Sequence, residues 1–159
     1  MTLSPSCKSD GARVFSVVGD RYHFQVLGDE TNGAFAMFEA FVPPQHGPPP
    51  HVHHREDEVF YVIEGEFTFT IAGQPVLATA GQTIFGKRDI PHTFRNSGEK
   101  PGRLIIIVTP AGLERFFMEV GIPLDSPQSP PVEPASADIA RLLAAAPRYG
   151  VEILAQEHS

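Results

Sequence analysis

Residues 48–67 read PPPHVHHREDEVFYVIEGEF, with three histidines and three acids inside the eight positions 51–58. Imidazole and carboxylate together are donors for a first-row transition metal. In extended chain, residues two apart share a face, so His51 and His53 project one way and His54 the other. The same alternation in DEVFYVIE places Glu58, Phe60 and Val62 on one side and Val59, Tyr61 and Ile63 on the other. A third imidazole, His92, opens the run HTFRN, with Phe94 and Asn96 on its own face.

Three imidazoles and one carboxylate suit one divalent transition metal per chain, whether Fe, Mn, Ni, Co, Cu or Zn, better than Mg or Ca. The expected ligands are therefore His51, His53, Glu58 and His92. Phe60, Val62, Phe69, Phe85, Phe94 and Asn96 are expected to line a substrate pocket around them, because small-molecule sites are mostly apolar with a few polar groups. His54, Arg55, Glu56 and Asp57 read as a solvated corner, and His23, His46 and His158 as histidines outside the set.

The elements that must hold this set are short. From Ala12 to Thr109 the chain breaks into runs rich in Val, Ile, Phe, Tyr and Thr, such as RVFSVVG, YHFQVLG, EFTFTIAG and RLIIIVT, divided by Gly, Pro, Asp and Asn. Close spacing and hairpin cues at 19–20, 28–33, 64–66, 72–74 and 80–82 predict an all-β, antiparallel sandwich or barrel. After it, TPAGLERFFMEVGIP predicts a helix capped by Thr109, with Pro110 in its first turn and Gly121 as its stop. Residues 122–135 hold five prolines and read as an extended connector. SADIARLLAAA predicts a second helix capped by Ser136 and closed by Pro147, and Val151–Leu154 a last apolar segment. The expected organisation is an N-terminal tail 1–11, a barrel 12–110, and C-terminal helices and tail 111–159 packed on the barrel or on a partner subunit.

A chain of 159 residues with 42% hydrophobic and 19% charged residues is expected to form one globular domain. Its net charge of −7 and lack of any Lys/Arg cluster argue against nucleic acid as a partner. No run approaches the roughly 20 apolar residues of a membrane span. The start MTLSPSCKSD has no secretory pattern, and Cys7 is the single cysteine, so a cytoplasmic location is expected. AFAMFEAFV and RLIIIVT are apolar on both faces, more than one barrel wall needs, which predicts a homodimer.

The spacing resembles the two motifs of the cupin superfamily. The first is His51, one residue, His53, four residues, Glu58, six residues, Gly65; the second is Gly81, ten residues, His92, three residues, Asn96. Gln45, Lys87 and Asp89 stand where the family's motifs usually carry Gly or Pro. The resemblance implies a double-stranded β-helix, or jelly-roll barrel, with the metal in its interior, followed here by a short helical tail. GPPPHVHHREDEVFYVIEGEF with GLERFF and RYGVEIL is similar to single-barrel relatives of the quercetin 2,3-dioxygenase cupins. That similarity implies a metal-dependent, dioxygenase-like oxidoreductase acting on a small enolic or aromatic substrate, flavonol- or diketone-like, with catalytic Glu58 both ligand and general base. The alternatives are a non-catalytic small-molecule-binding cupin and a metal-dependent isomerase or decarboxylase.

Overall fold

The computed structural model describes residues 13–155; the N-terminal tail 1–11 with Cys7, and His158, lie outside them. Period-two alternation of apolar residues builds twelve strands: β1 (Val14–Val17), β2 (Asp20–Val26), β3 (Ala36–Val42), β4 (His51–His53), β5 (Asp57–Glu64), β6 (Glu66–Ile71), β7 (Gln74–Thr79), β8 (Thr83–Gly86), β9 (His92–Asn96), β10 (Gly102–Thr109), β11 (Ile122–Pro123) and β12 (Val151–Ile153). They form two antiparallel sheets, one ordered β11-β1-β2-β3-β10-β5-β8 and the other β12-β4-β9-β6-β7. This is the all-β jelly roll with helices after it. The core between the sheets is dominated by Phe24, Phe38, Phe60, Phe67, Phe69 and Leu104, all fully buried. Burying an aromatic or leucine side chain contributes roughly 1.5–3 kcal/mol each before chain entropy is charged against it.

The three candidate histidines lie on neighbouring strands of the smaller sheet, where His51 is the register partner of His92. Glu58 comes from β5 in the larger sheet and faces them. Two features fix the approach to β4. Gln45 donates its backbone N–H to Asn96 O (2.8 Å) and Asn96 donates back to His46 O (2.9 Å), which zips residues 45–48 along β9. Gly47 lies so close that a Cβ there would sit 1.9 Å from Phe94 O. On its other side β4 pairs with β12, Val151 opposite His53 and Ile153 opposite His51.

The helices start elsewhere than expected. Helix α1 spans Leu113–Val120, because Thr109 still belongs to β10 and its hydroxyl donates to Ala34 O (2.9 Å). The cap is supplied from inside, by Glu114, whose carboxylate accepts from Gly112 N–H (2.7 Å) and Gly28 N–H (3.1 Å). Helix α2 spans Ser136–Ala145, with Ser136 as its first turn; the Asp138 carboxylate accepts from Ala135 N–H (2.8 Å) instead. Pro147 does not end the helical path but sits in a 3-10 turn, Ala146–Tyr149, closed by Gly150 at φ 70°. The proline-rich connector runs along the barrel wall: Val132 N–H donates to Ser16 Oγ (2.8 Å), and Arg21 donates to Ser129 O (2.7 Å).

Gly47→Ala is expected to cost about 1–3 kcal/mol, the usual range for an atom forced into occupied space. The displaced β4 approach should also lower metal occupancy, checked by a thermal melt and elemental mass spectrometry on the same sample.

Candidate metal centre

His51, His53 and His92 are all buried, and their ring nitrogens lie within 4.8 Å of one another. Ring centroids are 4.6 Å apart for His51 and His53, and 4.5 Å for His51 and His92. Backbone carbonyls orient two of the rings: His51 Nδ1–H donates to Pro49 O (2.8 Å) and His92 Nδ1–H to Ile90 O (3.3 Å), which turns the opposite Nε2 of each ring inward. Glu58, 4% exposed, adjoins this trio with Oε1 2.9 Å from His53 Nε2 and Oε2 3.4 Å from His92 Nε2.

Electrostatics follow from this packing. Burial alone raises the Glu58 carboxyl, but the charge and hydrogen bond of His53, with His92 beside it, outweigh burial and hold it ionised far below the usual carboxylate range. Burial lowers the His53 imidazole, and Glu58 more than restores it. His51 has no such partner; burial, with His53 and His92 close by, pushes it down to about 3, so it stays neutral. Buried His53 Nδ1 and His92 Nε2 have no hydrogen-bond partner. Orphaned imidazole nitrogens and an ionised carboxylate in an apolar barrel match the donor set of a divalent first-row metal, which would be held by these four side chains.

The cluster forms part of the lining of a cavity of about 50 Å³ whose apolar wall includes Phe38, Phe60, Phe94, Ile106, Phe116 and Phe117. Of the expected pocket residues, Phe60 and Phe94 are on that wall. Phe69 and Val62 are buried behind it, Phe69 packing on Phe60 at 5.1 Å and on Phe94 at 5.8 Å. Asn96 is buried too, but it is a clamp: its amide donates to Val42 O (2.9 Å) and Lys100 O (2.8 Å) and accepts from Gly98 N–H (2.9 Å). Phe85 does not line the pocket. It pairs with Val59 on the outer face of the larger sheet and is 57% exposed. The inward position beside it is Gly86, where even a Cβ would lie 3.2 Å from the Phe60 ring and 3.5 Å from His92.

The corner 54–57 is only partly solvated. His54 is exposed and hydrogen-bonds Asp89 (2.7 Å) and Glu152 (3.0 Å), and Asp57 pairs with Arg88. Glu56, by contrast, is 3% exposed, and burial pushes its carboxyl up to about 7. Strand parity carries the signal: Glu56 stands two residues before Glu58 and so shares its inward face. Asp20 and Tyr22 also line the cavity and had no place in the sequence-based set. The Gly19–Asp20 pair reads as a hairpin turn, which hides the inward alternation Asp20, Tyr22, Phe24.

With this geometry in place, the comparisons with known proteins are consistent. Residues 38–108, a little under half of the chain, match the cupin domain family, and the fold is that of a single cupin-type barrel. It is similar to quercetin 2,3-dioxygenase of Bacillus subtilis (strain 168), 25% identical over 128 residues, which are 80% of this chain and 37% of that protein. It is also similar to the HTH-type transcriptional regulator PuuR of Escherichia coli (strain K12), 37% identical over 59 residues, 37% of this chain and 32% of the regulator. The chain thus spans about a third of the length of these curated relatives. Among solved structures, a predicted oxalate decarboxylase from Thermotoga maritima superposes with a TM-score of 0.61 at 18% identity, covering 67% of this chain and 99% of that one, a likeness of fold. No helix among the described residues is long and apolar enough to cross a membrane.

Elemental mass spectrometry should find near-stoichiometric transition metal in the purified wild type, lost in His53→Ala and kept in His54→Ala. Equal metal content in both variants would place the metal elsewhere.

Proposed function

We propose that this cupin is a metal-dependent oxidoreductase of the dioxygenase kind, acting on a small enolic substrate. The observation that carries the proposal is Glu58, an ionised carboxylate buried against two imidazoles at the wall of an apolar cavity. A divalent transition metal, when bound, supplies Lewis acidity toward an enol or phenol oxygen and the redox capacity that reaction with oxygen needs. The chain's own residues do the rest. Phe60 and Phe94 exclude water and present flat faces to a conjugated substrate. Glu58 accepts the proton of the substrate hydroxyl. A cavity of about 50 Å³ fits a short diketone better than a three-ring flavonol. The similarity to quercetin 2,3-dioxygenase across 80% of the chain supports the reaction class.

The test is oxygen uptake by the metal-reconstituted protein over a series of 1,3-diketones and flavonols. Turnover is expected in the wild type and, compared per bound metal, a loss of about 10²–10⁴ in Glu58→Gln, the usual contribution of a positioned base. Full turnover in that variant would remove Glu58 from the chemistry. A second reading is favoured by the PuuR match: a module that binds a small molecule without converting it. It predicts ligand-induced thermal stabilisation with no oxygen uptake and no product.

We also propose a homodimer formed through the outer face of the larger sheet. Met37, Ile107, Val59 and Phe85 are successive register partners across β3, β10, β5 and β8, so they make one apolar row on that face. Exposed Tyr61 lies in the next row, opposite Ile105. Light scattering is expected to give about twice the 17.3 kDa chain mass for the wild type, and a mass near one chain for Phe85→Asp.

A further inference from the structure

Asp20 and Tyr22 are inward residues of β2, two apart on one face, and both border the cavity that holds His51, His53 and Glu58. β2 is three places from β5 in the larger sheet, so they approach the cavity from another side than Glu58. Asp20 is 2% exposed and its Oδ1 has no hydrogen-bond partner. The nearest candidate cation, His46, has its Nδ1 3.9 Å away, too far for a hydrogen bond, and its Nε2 3.5 Å from Glu133 Oε1. The Tyr22 hydroxyl likewise has no hydrogen-bond partner among the described residues, although the ring is buried against Phe24, Phe38 and Phe117.

An unpaired buried carboxyl costs stability, and folded proteins retain few. The turn that delivers Asp20 adds a second cost. Val18, a cavity-lining β-branched residue, is held at φ 51°, followed by Gly19 at φ 86°. Valine is rare in that region, and strain of this kind collects where function needs a particular geometry. Burial first, then the charge of Glu133, raises the Asp20 carboxyl well above its ordinary value and so favours its neutral form. A neutral carboxyl beside a phenol offers O–H donors and oxygen acceptors but no net charge. That chemistry matches a hydroxyl or carbonyl, not a carboxylate or an ammonium group.

We propose that Asp20 and Tyr22 form a second polar pole of the cavity, an anchor that hydrogen-bonds a hydroxyl or carbonyl oxygen at the end of the substrate remote from the histidines. The anchor rests on the reading of this cavity as the substrate site. It makes the substrate bifunctional, an enolic end for the His/Glu cluster and an uncharged oxygen group at the other end. Asp20 and Tyr22 then set specificity while Glu58 handles the proton.

The test compares two probes that differ by one hydroxyl, pentane-2,4-dione and 1-hydroxypentane-2,4-dione, titrated calorimetrically into the protein reconstituted with redox-inert zinc. Wild type should bind the hydroxylated probe about tenfold more tightly, the worth of one well-made hydrogen bond. In Asp20→Leu with Tyr22→Phe the preference should fall to within about twofold, with pentane-2,4-dione affinity and zinc content unchanged. Asp20→Asn keeps the side-chain shape and should lose part of the preference should the double variant not fold. A preference that survives in the variants, or pentane-2,4-dione binding with no preference in the wild type, overturns the anchor and leaves the enolic-substrate reading standing. Zinc-loaded wild type that binds neither probe overturns both.

Discussion

Glu58 is an ionised carboxylate in the interior of a phenylalanine-rich barrel, and the fold has to make that state tolerable. An isolated charge there would cost several kcal/mol even after relaxation. It is offset because His53 and His92 reach it from the opposite sheet. Much of the local architecture follows from holding two sheets at the distance where that contact closes. Gly86 on β8 is bare so that Phe60 and His92 can meet beside the carboxylate, and carbonyls of Pro49 and Ile90 fix the ring orientations of His51 and His92. The polar cluster is thus set directly among the buried aromatic side chains of the core.

The strand carrying two of the histidines is short, three residues, and is stable only through its neighbours. β9 holds one edge through a single register pair and the zipped segment 45–48. β12, near the C-terminal end of the described chain, holds the other edge along its whole length. The last strand of the described residues is therefore a structural support of the centre, joined to it through hydrogen bonds to the backbone on either side of His53 and His51.

Strand alternation made the ligand set legible, because parity alone separates His51 and His53 from His54 and groups Glu58 with Phe60. Parity also held the answers to two misplacements. Phe85 faces outward because inward Gly86 is its neighbour, yet an aromatic in an apolar run looks like pocket lining until the strand's partner is known. Glu56 faces inward because it shares the face of Glu58, yet a cluster of charges looks solvated. The helix starts were less legible: Glu114 and Asp138 cap from within the first turn and remove the need for the Thr109 and Ser136 caps that the local pattern suggests. The pairing of β12 with β4, about a hundred residues apart, leaves no local mark at all.

The segment that matches the cupin family, residues 38–108, contains all four candidate ligands and the aromatic pair Phe60 and Phe94. Much of the remaining cavity wall comes from outside it: Val17, Val18, Asp20 and Tyr22 from the first hairpin, and Phe116, Phe117, Leu142 and Val151 from the chain after β10. This division follows from the geometry of the barrel. The candidate ligands sit on strands whose spacing is held by the two sheets. The wall facing them is closed largely by the first hairpin and the C-terminal helices, which carry none of the candidate ligands. The candidate ligand cluster therefore belongs to the segment that matches the family. Much of the cavity's shape and polarity is set by the segments that flank it.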